Sequence, residues 1–362
     1  MSKFFAGILL FFFSIILLFI LLGSVIKATI LSPDFYNQTL KKSQFFSKIL
    51  SLDLIDLARK TYMGNVQDES AQRALTLFAP AMQKSVSEKY LEETSSKIFD
   101  NLLNFITKEN SSLDLTIDLK EIKGNFINNT GNAILEYYKS LPICTDAQAL
   151  KILNSNAEPN CQIKEIAPEK FVDQYRIPLS EQIQAGFPEK VDILELGDTE
   201  GGTVTPQEIK QQNLEGLENF RKAYKIFKQV LGIVTVIVII LLVLVVAILF
   251  KSLKSLFRFI GNGLFWPMLL PTLIATLIMF YSPHNIQNIL EQTDTILRAL
   301  DPVLAAPIID LILTTVKEFA SKLLFFSLPI LIVGIVLFAS SFFLPTHSST
   351  KIPEPVKGVK GS

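Results

Sequence analysis

The chain has 362 residues, with 34 Lys and Arg against 34 Asp and Glu, so its formal net charge is zero. That balance supplies no drive toward a polyanion, and no nucleic-acid partner is expected. Hydrophobic residues make up 49% of the chain and include 28 phenylalanines, which is the composition of a membrane protein rather than a soluble one.

The first element is the uncharged run over residues 4–26. A helix needs about 20 apolar residues to cross a bilayer, and this run is long enough. Its apolar core exceeds the roughly 7–15 residues of a secretory signal, and Val25-Ile26-Lys27-Ala28 has no small-x-small cleavage pattern. Residues 1–27 are therefore expected to be a cytoplasmic N-terminus and an uncleaved first transmembrane helix.

Residues 28–228 read as one mainly helical domain. Ser32-Pro33-Asp34 is a helix start, with a capping residue, Pro at the first position and an acid in the first turn. Leu91, Ser95, Ile98, Leu102, Phe105 and Ile106 recur at three- and four-residue steps, which predicts a helix over 88–108. Further helices are expected over 120–139, 168–185 and 206–228. The last has no breaker before the next apolar run and is expected to continue into it. Leu113, Leu115 and Ile117 alternate with polar residues, and Val191 and Ile193 do the same within 190–196. These stretches predict at most a short two-stranded β element. Residues 197–205 are Gly-rich and read as a loop.

Residues 229–250 form the second uncharged run. Its Val and Ile content favours a strand in water, but a lone strand in lipid leaves its backbone groups unpaired, so a helix is expected. Residues 251–258 form a short loop, and 259–281 a third span that contains Pro267 and Pro271. Residues 282–322 read as an amphipathic helical hairpin. One stripe is Ile286, Ile289, Leu290, Thr293, Leu297 and Leu300; the other is Leu304, Ile308, Leu311, Ile312, Thr315 and Phe319. The hairpin either lies on the membrane or packs on the large domain, and packing is the expectation. Residues 323–344 are the fourth span, and 345–362 are expected to be a disordered cytoplasmic tail. The fold class expected is thus mainly α, with four transmembrane helices and a helical extracytoplasmic domain.

Orientation follows from charge. Lys251, Lys254 and Arg258 lie in the short loop without an acid, and the tail carries Lys351, Lys357 and Lys360 against Glu354. Cationic loops stay in the cytoplasm, which places both termini inside and residues 28–228 and 282–322 outside a plasma membrane. Arg221, Lys222, Lys225 and Lys228 cut against this, but long translocated domains obey the rule poorly. That cluster is expected to snorkel at a helix end, with anionic headgroups as the other reading.

Candidate chemistry is sparse. Cys144 and Cys161 are the only cysteines and both fall in the large domain. Outside the cytosol such a pair is expected to form a disulfide; the other reading is two unlinked buried thiols. The histidines are His284 and His347, so the large domain has neither a Ser-His-Asp constellation nor a His-ligated zinc. Asp192, Glu195, Asp198 and Glu200 form an acidic patch but miss the calcium-loop spacing, and read as a solvated loop. Gly261-Asn262-Gly263 does not extend into a nucleotide-binding fingerprint. Within the spans the polar or irregular residues are Asn262, Thr272, Thr276, Ser327 and Pro329, and the threonines share a face suited to helix packing. Sequons stand at Asn37, Asn110 and Asn128 and matter only where secreted chains are glycosylated. No catalytic, cofactor-binding or metal residue is expected.

Three stretches carry a resemblance: Leu31-Ser32-Pro33-Asp34-Phe35-Tyr36; Tyr90-Leu91 leading to Asp114-Leu115-Thr116-Ile117-Asp118-Leu119; and Leu141-Pro142-Ile143-Cys144 followed at a distance by Cys161. With the spans at either end, the chain resembles a group of uncharacterised bacterial envelope membrane proteins. The resemblance implies a bacterial plasma-membrane protein, pairing of Cys144 with Cys161, and no particular activity. In this chain the proline-rich stretch after the second cysteine is reduced to Pro168.

The function expected is a non-enzymatic structural or protein-interaction component of the cell envelope. Its partners would be the bilayer and a protein at the outer domain. Alternatives are an oligomeric channel or transport subunit and a carboxylate-dependent extracytoplasmic enzyme.

Overall fold

A computed structural model of the protein describes residues 2–52, 78–108, 111–155, 160–196, 205–250, 252–280 and 302–344. In chain order the helices are α1 (Ser2–Ala28), α2 (Pro33–Lys42), α3 (Phe45–Ser51), α4 (Glu88–Thr107), α5 (Lys120–Ser140), α6 (Asp146–Ser155), α7 (Pro168–Gly186), α8 (Pro206–Leu249), α9 (Leu253–Phe280) and α10 (Pro302–Phe343). Residues 78–85 are also helical. Strands β1 (Thr116–Asp118) and β2 (Lys190–Asp192) form a two-stranded sheet. The fold is mainly α, and four helices are long and apolar enough to cross a membrane. This is a multi-pass membrane protein. The chain divides into two compact units, residues 1–29, 226–281 and 317–362 in one, residues 30–225 and 282–316 in the other.

The first unit is built from the apolar helices, and its contacts give their directions. A Cβ at Gly23 of α1 would collide with Leu231 of α8 and meet Phe227 at 3.4 Å. Leu9, near the start of α1, packs on Val245 and Leu249 near the end of α8. These two helices are therefore antiparallel. Gly263 of α9 faces Leu10 and Phe13 of α1, while Met268 and Ala275 join Leu21 and Val25, so α9 runs parallel to α1. Helix α10 returns, with Phe338 level with Gly261, Gly334 with Phe265 and Ser327 with Thr272 of α9. The order is up, down, up, down. The start of α1 and the end of α10 share one end.

Small residues set the closest approaches. A Cβ at Gly261 would lie 2.6 Å from the Phe338 backbone nitrogen, and one at Gly334 would lie 2.9 Å from that of Phe265. Gly261 thus fits the backbone of α10, and Gly263, two positions on, fits the side chains of α1. Proline in α9 leaves a matching trace. Pro267 has no N–H for the carbonyl four residues earlier, at Gly263. The Ser14 hydroxyl of α1 donates to that carbonyl at 3.2 Å, which satisfies an acceptor that lipid cannot.

The second unit centres on α4. Ser87 caps it, accepting from the Tyr90 N–H at 3.1 Å. Leu103, Phe105 and Ile106 are buried against Leu31, Tyr36, Leu113, Leu214, Leu217 and Tyr224. Helix α2 begins where Ser32-Pro33 predicts, although the Ser32 side chain makes no capping bond. Tyr36 stacks on Phe99 with ring centroids 4.7 Å apart. Strands β1 and β2 pair antiparallel, with Ile117 opposite Val191. Helix α5 packs along α7, and Lys123 Nζ donates to the carbonyls of Gln184 and Phe187 at 2.8 and 3.0 Å, closing the C-terminal end of α7.

Two helices run longer than the apolar runs within them. Helix α8 is uninterrupted for 44 residues, so the polar stretch 206–228 and the apolar stretch 229–249 belong to one helix. Helix α10 is uninterrupted for 42 residues and joins the second stripe of the expected hairpin to the fourth span. The first stripe, over 286–300, lies outside the described residues. Asp310 of α10 pairs with Lys48 of α3 at 2.7 Å.

Candidate interaction surface of the large domain

Cys144 and Cys161 lie with Cα atoms 4.9 Å apart and their sulfurs bonded. Around them a small apolar core forms from Tyr138, Ile152, Cys161 and Ile163. Backbone bonds reinforce the bridge: the Cys144 N–H donates to the Gln162 carbonyl at 2.8 Å, and the Gln162 N–H to Pro142 at 2.7 Å. The Ile163 N–H donates to the buried Tyr138 phenol at 2.8 Å. The Gln162 side-chain amide donates to the carbonyls of Lys139 and Leu141 as α5 ends. These bonds and the disulfide tie the end of α5 to the segment that follows α6, which makes the lobe a compact platform.

That platform leaves large apolar side chains uncovered. Ile143 is 68% exposed, Leu150 61% and Leu153 54%. Leu150 and Leu153 are three positions apart in α6 and share a face, while Ile152 turns into the core. The helix begins with one half of a capping box: the Gln148 side-chain oxygen accepts from the Thr145 N–H and hydroxyl, each at 3.0 Å. Neither α6 nor its exposed leucines stood out in sequence. The Thr-x-x-Gln spacing was the available signal.

The acidic patch is drawn together in part. Lys210 Nζ sits 2.7 Å from Asp192 and 2.9 Å from Glu195, and the two carboxylates hold its pKa above the usual lysine value. Asp198 and Glu200 lie outside the described residues, as do His284, His347 and Asn110. Asn37 donates to Ser96 at 2.9 Å, and Thr39 of its sequon is buried and donates to the Phe35 carbonyl. Asn128 stands in α5, where Thr130 of its sequon is buried and its hydroxyl has no hydrogen-bond partner among the described residues.

Clefts open on this unit among the described residues. One of about 360 Å³ lies between α4 and β1, among Tyr90, Lys97, Asn101, Asp114, Asp118 and Lys120. The outer edge of β1 is tied off there. Tyr90 donates to the Asp118 carbonyl at 2.6 Å, Asn101 to the Asp114 carbonyl at 2.8 Å, and the Thr116 N–H to the Asp114 carboxylate at 3.0 Å. Those bonds with Thr116 hold the Asp114 carboxyl below its usual value. Another of about 630 Å³ is lined by Lys84, Asn129, Asn132, Glu136, Tyr137 and Lys139. Lys139 is already paired with Glu169 at 2.9 Å. No group of three or more His, Cys, Asp or Glu side chains suited to a metal occurs among the described residues.

Inside the apolar unit, Thr272 and Ser327 meet. Thr272 Oγ1 lies 2.7 Å from the Met268 carbonyl and 2.9 Å from Ser327 Oγ. Its one proton serves the carbonyl, so the Ser327 hydroxyl is the donor between α9 and α10. Thr276 bonds back to the Thr272 carbonyl at 2.7 Å. Neither a protein family nor a curated protein nor a solved structure matches this chain.

Proposed function

We propose that the protein is a structural or protein-interaction component of a bacterial cell envelope, held in the plasma membrane and without enzymatic activity of its own. The observation that carries this reading is the exposed apolar set Ile143, Leu150 and Leu153 on a disulfide-clamped lobe. Large apolar side chains left exposed on a folded lobe outside a bilayer support a protein-binding surface over a solvated face. The likeness to uncharacterised envelope proteins and the paired cysteines support an extracytoplasmic location for the large domain. Lys254 and Arg258 at the start of α9 support cytoplasmic termini. The hydroxyls of Thr272 and Ser327 satisfy one another rather than line a polar path, which favours an anchor over a conduit.

The test is site-specific photocrosslinking in living cells, with the reactive residue at Leu150 or Leu153, followed by mass spectrometry. One defined protein adduct is expected from these positions, absent when Ile143 is also replaced by Asp. Equal background from Leu150, Leu153 and a charged control position such as Lys170 counts against the reading.

A further inference from the structure

Four lysines converge at one end of the apolar unit. Lys27 lies one turn beyond Gly23 in α1, and Lys228 lies one turn before Leu231 in α8. Gly23 and Leu231 touch, so both lysines stand at the same level. On α10, Ser327 meets Thr272 of α9, and Gly263 of α9 meets Leu10 and Phe13 of α1, so counting along the helices from these contacts brings Lys322 and then Lys317 to about the level of Lys27. The Cα atoms of all four lysines thus fall within about one helical turn, roughly 5 Å along the axis, of a common plane.

Lys27 and Lys228 are exposed, and Lys317 and Lys322 are half-buried along apolar neighbours. None of the four makes a salt bridge among the described residues, whereas Lys48, Lys89, Lys120, Lys139 and Lys210 of the other unit all do. Glu318 is the acid on α10 nearest this plane, and it has an interaction of its own. Lys228 immediately precedes the uncharged run 229–250. At 1.5 Å per residue that run is about 33 Å long, which matches a hydrocarbon core of about 30 Å and sets the collar at headgroup depth.

We infer that Lys27, Lys228, Lys317 and Lys322 form a binding collar for the phosphate groups of anionic phospholipids. This goes beyond the interaction reading above and does not depend on it. Lysines at a helix end also snorkel toward water with no lipid preference. What separates the collar from that behaviour is its common level: three helices bring to it four cations that make no salt bridge among the described residues. A membrane-embedded phosphate meets them at that depth without leaving the bilayer, which selects lipid over a soluble anion.

The full-length chain in neutral detergent is tested by native mass spectrometry with added phosphatidylglycerol, phosphatidylcholine or inorganic phosphate. Phosphatidylglycerol is expected to bind at least about tenfold more tightly than phosphatidylcholine, given a gain of roughly fivefold per lysine before screening. The Lys27→Gln/Lys228→Gln/Lys322→Gln variant should lose that preference, and the corresponding triple Arg variant should keep it. Lys254→Gln/Arg258→Gln, at the opposite end, should keep it too. Equal binding of the two lipids overturns the inference, as does an unchanged triple Gln variant or loss of preference in the triple Arg or the opposite-end variant. Competition by millimolar inorganic phosphate overturns the choice of lipid as ligand.

Discussion

Thr272 and Ser327 show what one hydrogen bond contributes where water is absent. Both side chains are buried, and their bond is a direct tie between α9 and α10. Interhelical bonds of this kind average about 0.6 kcal/mol and reach about 1.7 kcal/mol, because the separated helices find other partners. A double-mutant cycle with Thr272→Val and Ser327→Ala, read by unfolding in mixed micelles, should give a coupling within that range. A coupling of zero would mean that the two hydroxyls are satisfied independently. Both residues were visible in sequence as polar interruptions of apolar runs. Their pairing was not, because 55 positions separate them and it takes the packing of Gly261 against Phe338 and of Gly334 against Phe265 to bring the helices close enough. Ser14 was less legible still. It reads as a small neutral residue in α1, and its role appears only once the carbonyl freed by Pro267 is placed beside it.

Elements with a strong period were readable, and elements defined by their ends were not. The apolar repeat of α4 and the alternation around β1 and β2 appear close to where the sequence pattern places them. Helix α6 is short and was missed, because its start depends on the exchange between Thr145 and Gln148 rather than on periodicity. Helix α10 is longer than charge alone suggests. Lys317, Glu318 and Lys322 look like a boundary, yet a helix carries such residues through without losing a backbone bond. Helix α8 starts with a capping box. The Thr205 N–H and hydroxyl donate to the Glu208 carboxylate at 2.8 and 3.0 Å, and these bonds hold the Glu208 carboxyl below its usual value. A lowered folded pKa stabilises at pH above the ordinary carboxylate range and is lost as pH falls through the lowered value. The protection of the first turn of α8, taken as the hydrogen-exchange rate relative to the intrinsic rate at each pH, should therefore fall on acidification below about pH 4, the ordinary glutamate value. Glu208→Gln should flatten that response, since a neutral amide still accepts but no longer titrates. An identical acid response in the variant would assign it to another group.

At the scale of the molecule, the alternation of α1, α8, α9 and α10 puts the start of the first and the end of the last on one side of the membrane. Tags fused to the two termini should be quenched together, in the same fraction of sealed vesicles, by an impermeant reagent. In the proposed orientation they are reached in intact cells only after permeabilisation; opposite accessibility of the two tags would break the four-helix order. Four apolar runs made this much of the architecture legible before any coordinate, whereas the partners of each helix were settled by glycine positions that composition does not rank. The bond from Ser14 to Gly263 also bears on biogenesis. Its two ends are 249 residues apart. At a synthesis rate of about 5–20 residues per second, the ribosome needs roughly 10–50 s to deliver the acceptor after the donor. For most of that interval, until Leu231 of α8 follows, α1 lacks the helices it packs on in the folded protein, so an insertion factor that shelters a lone helix has tens of seconds in which to act.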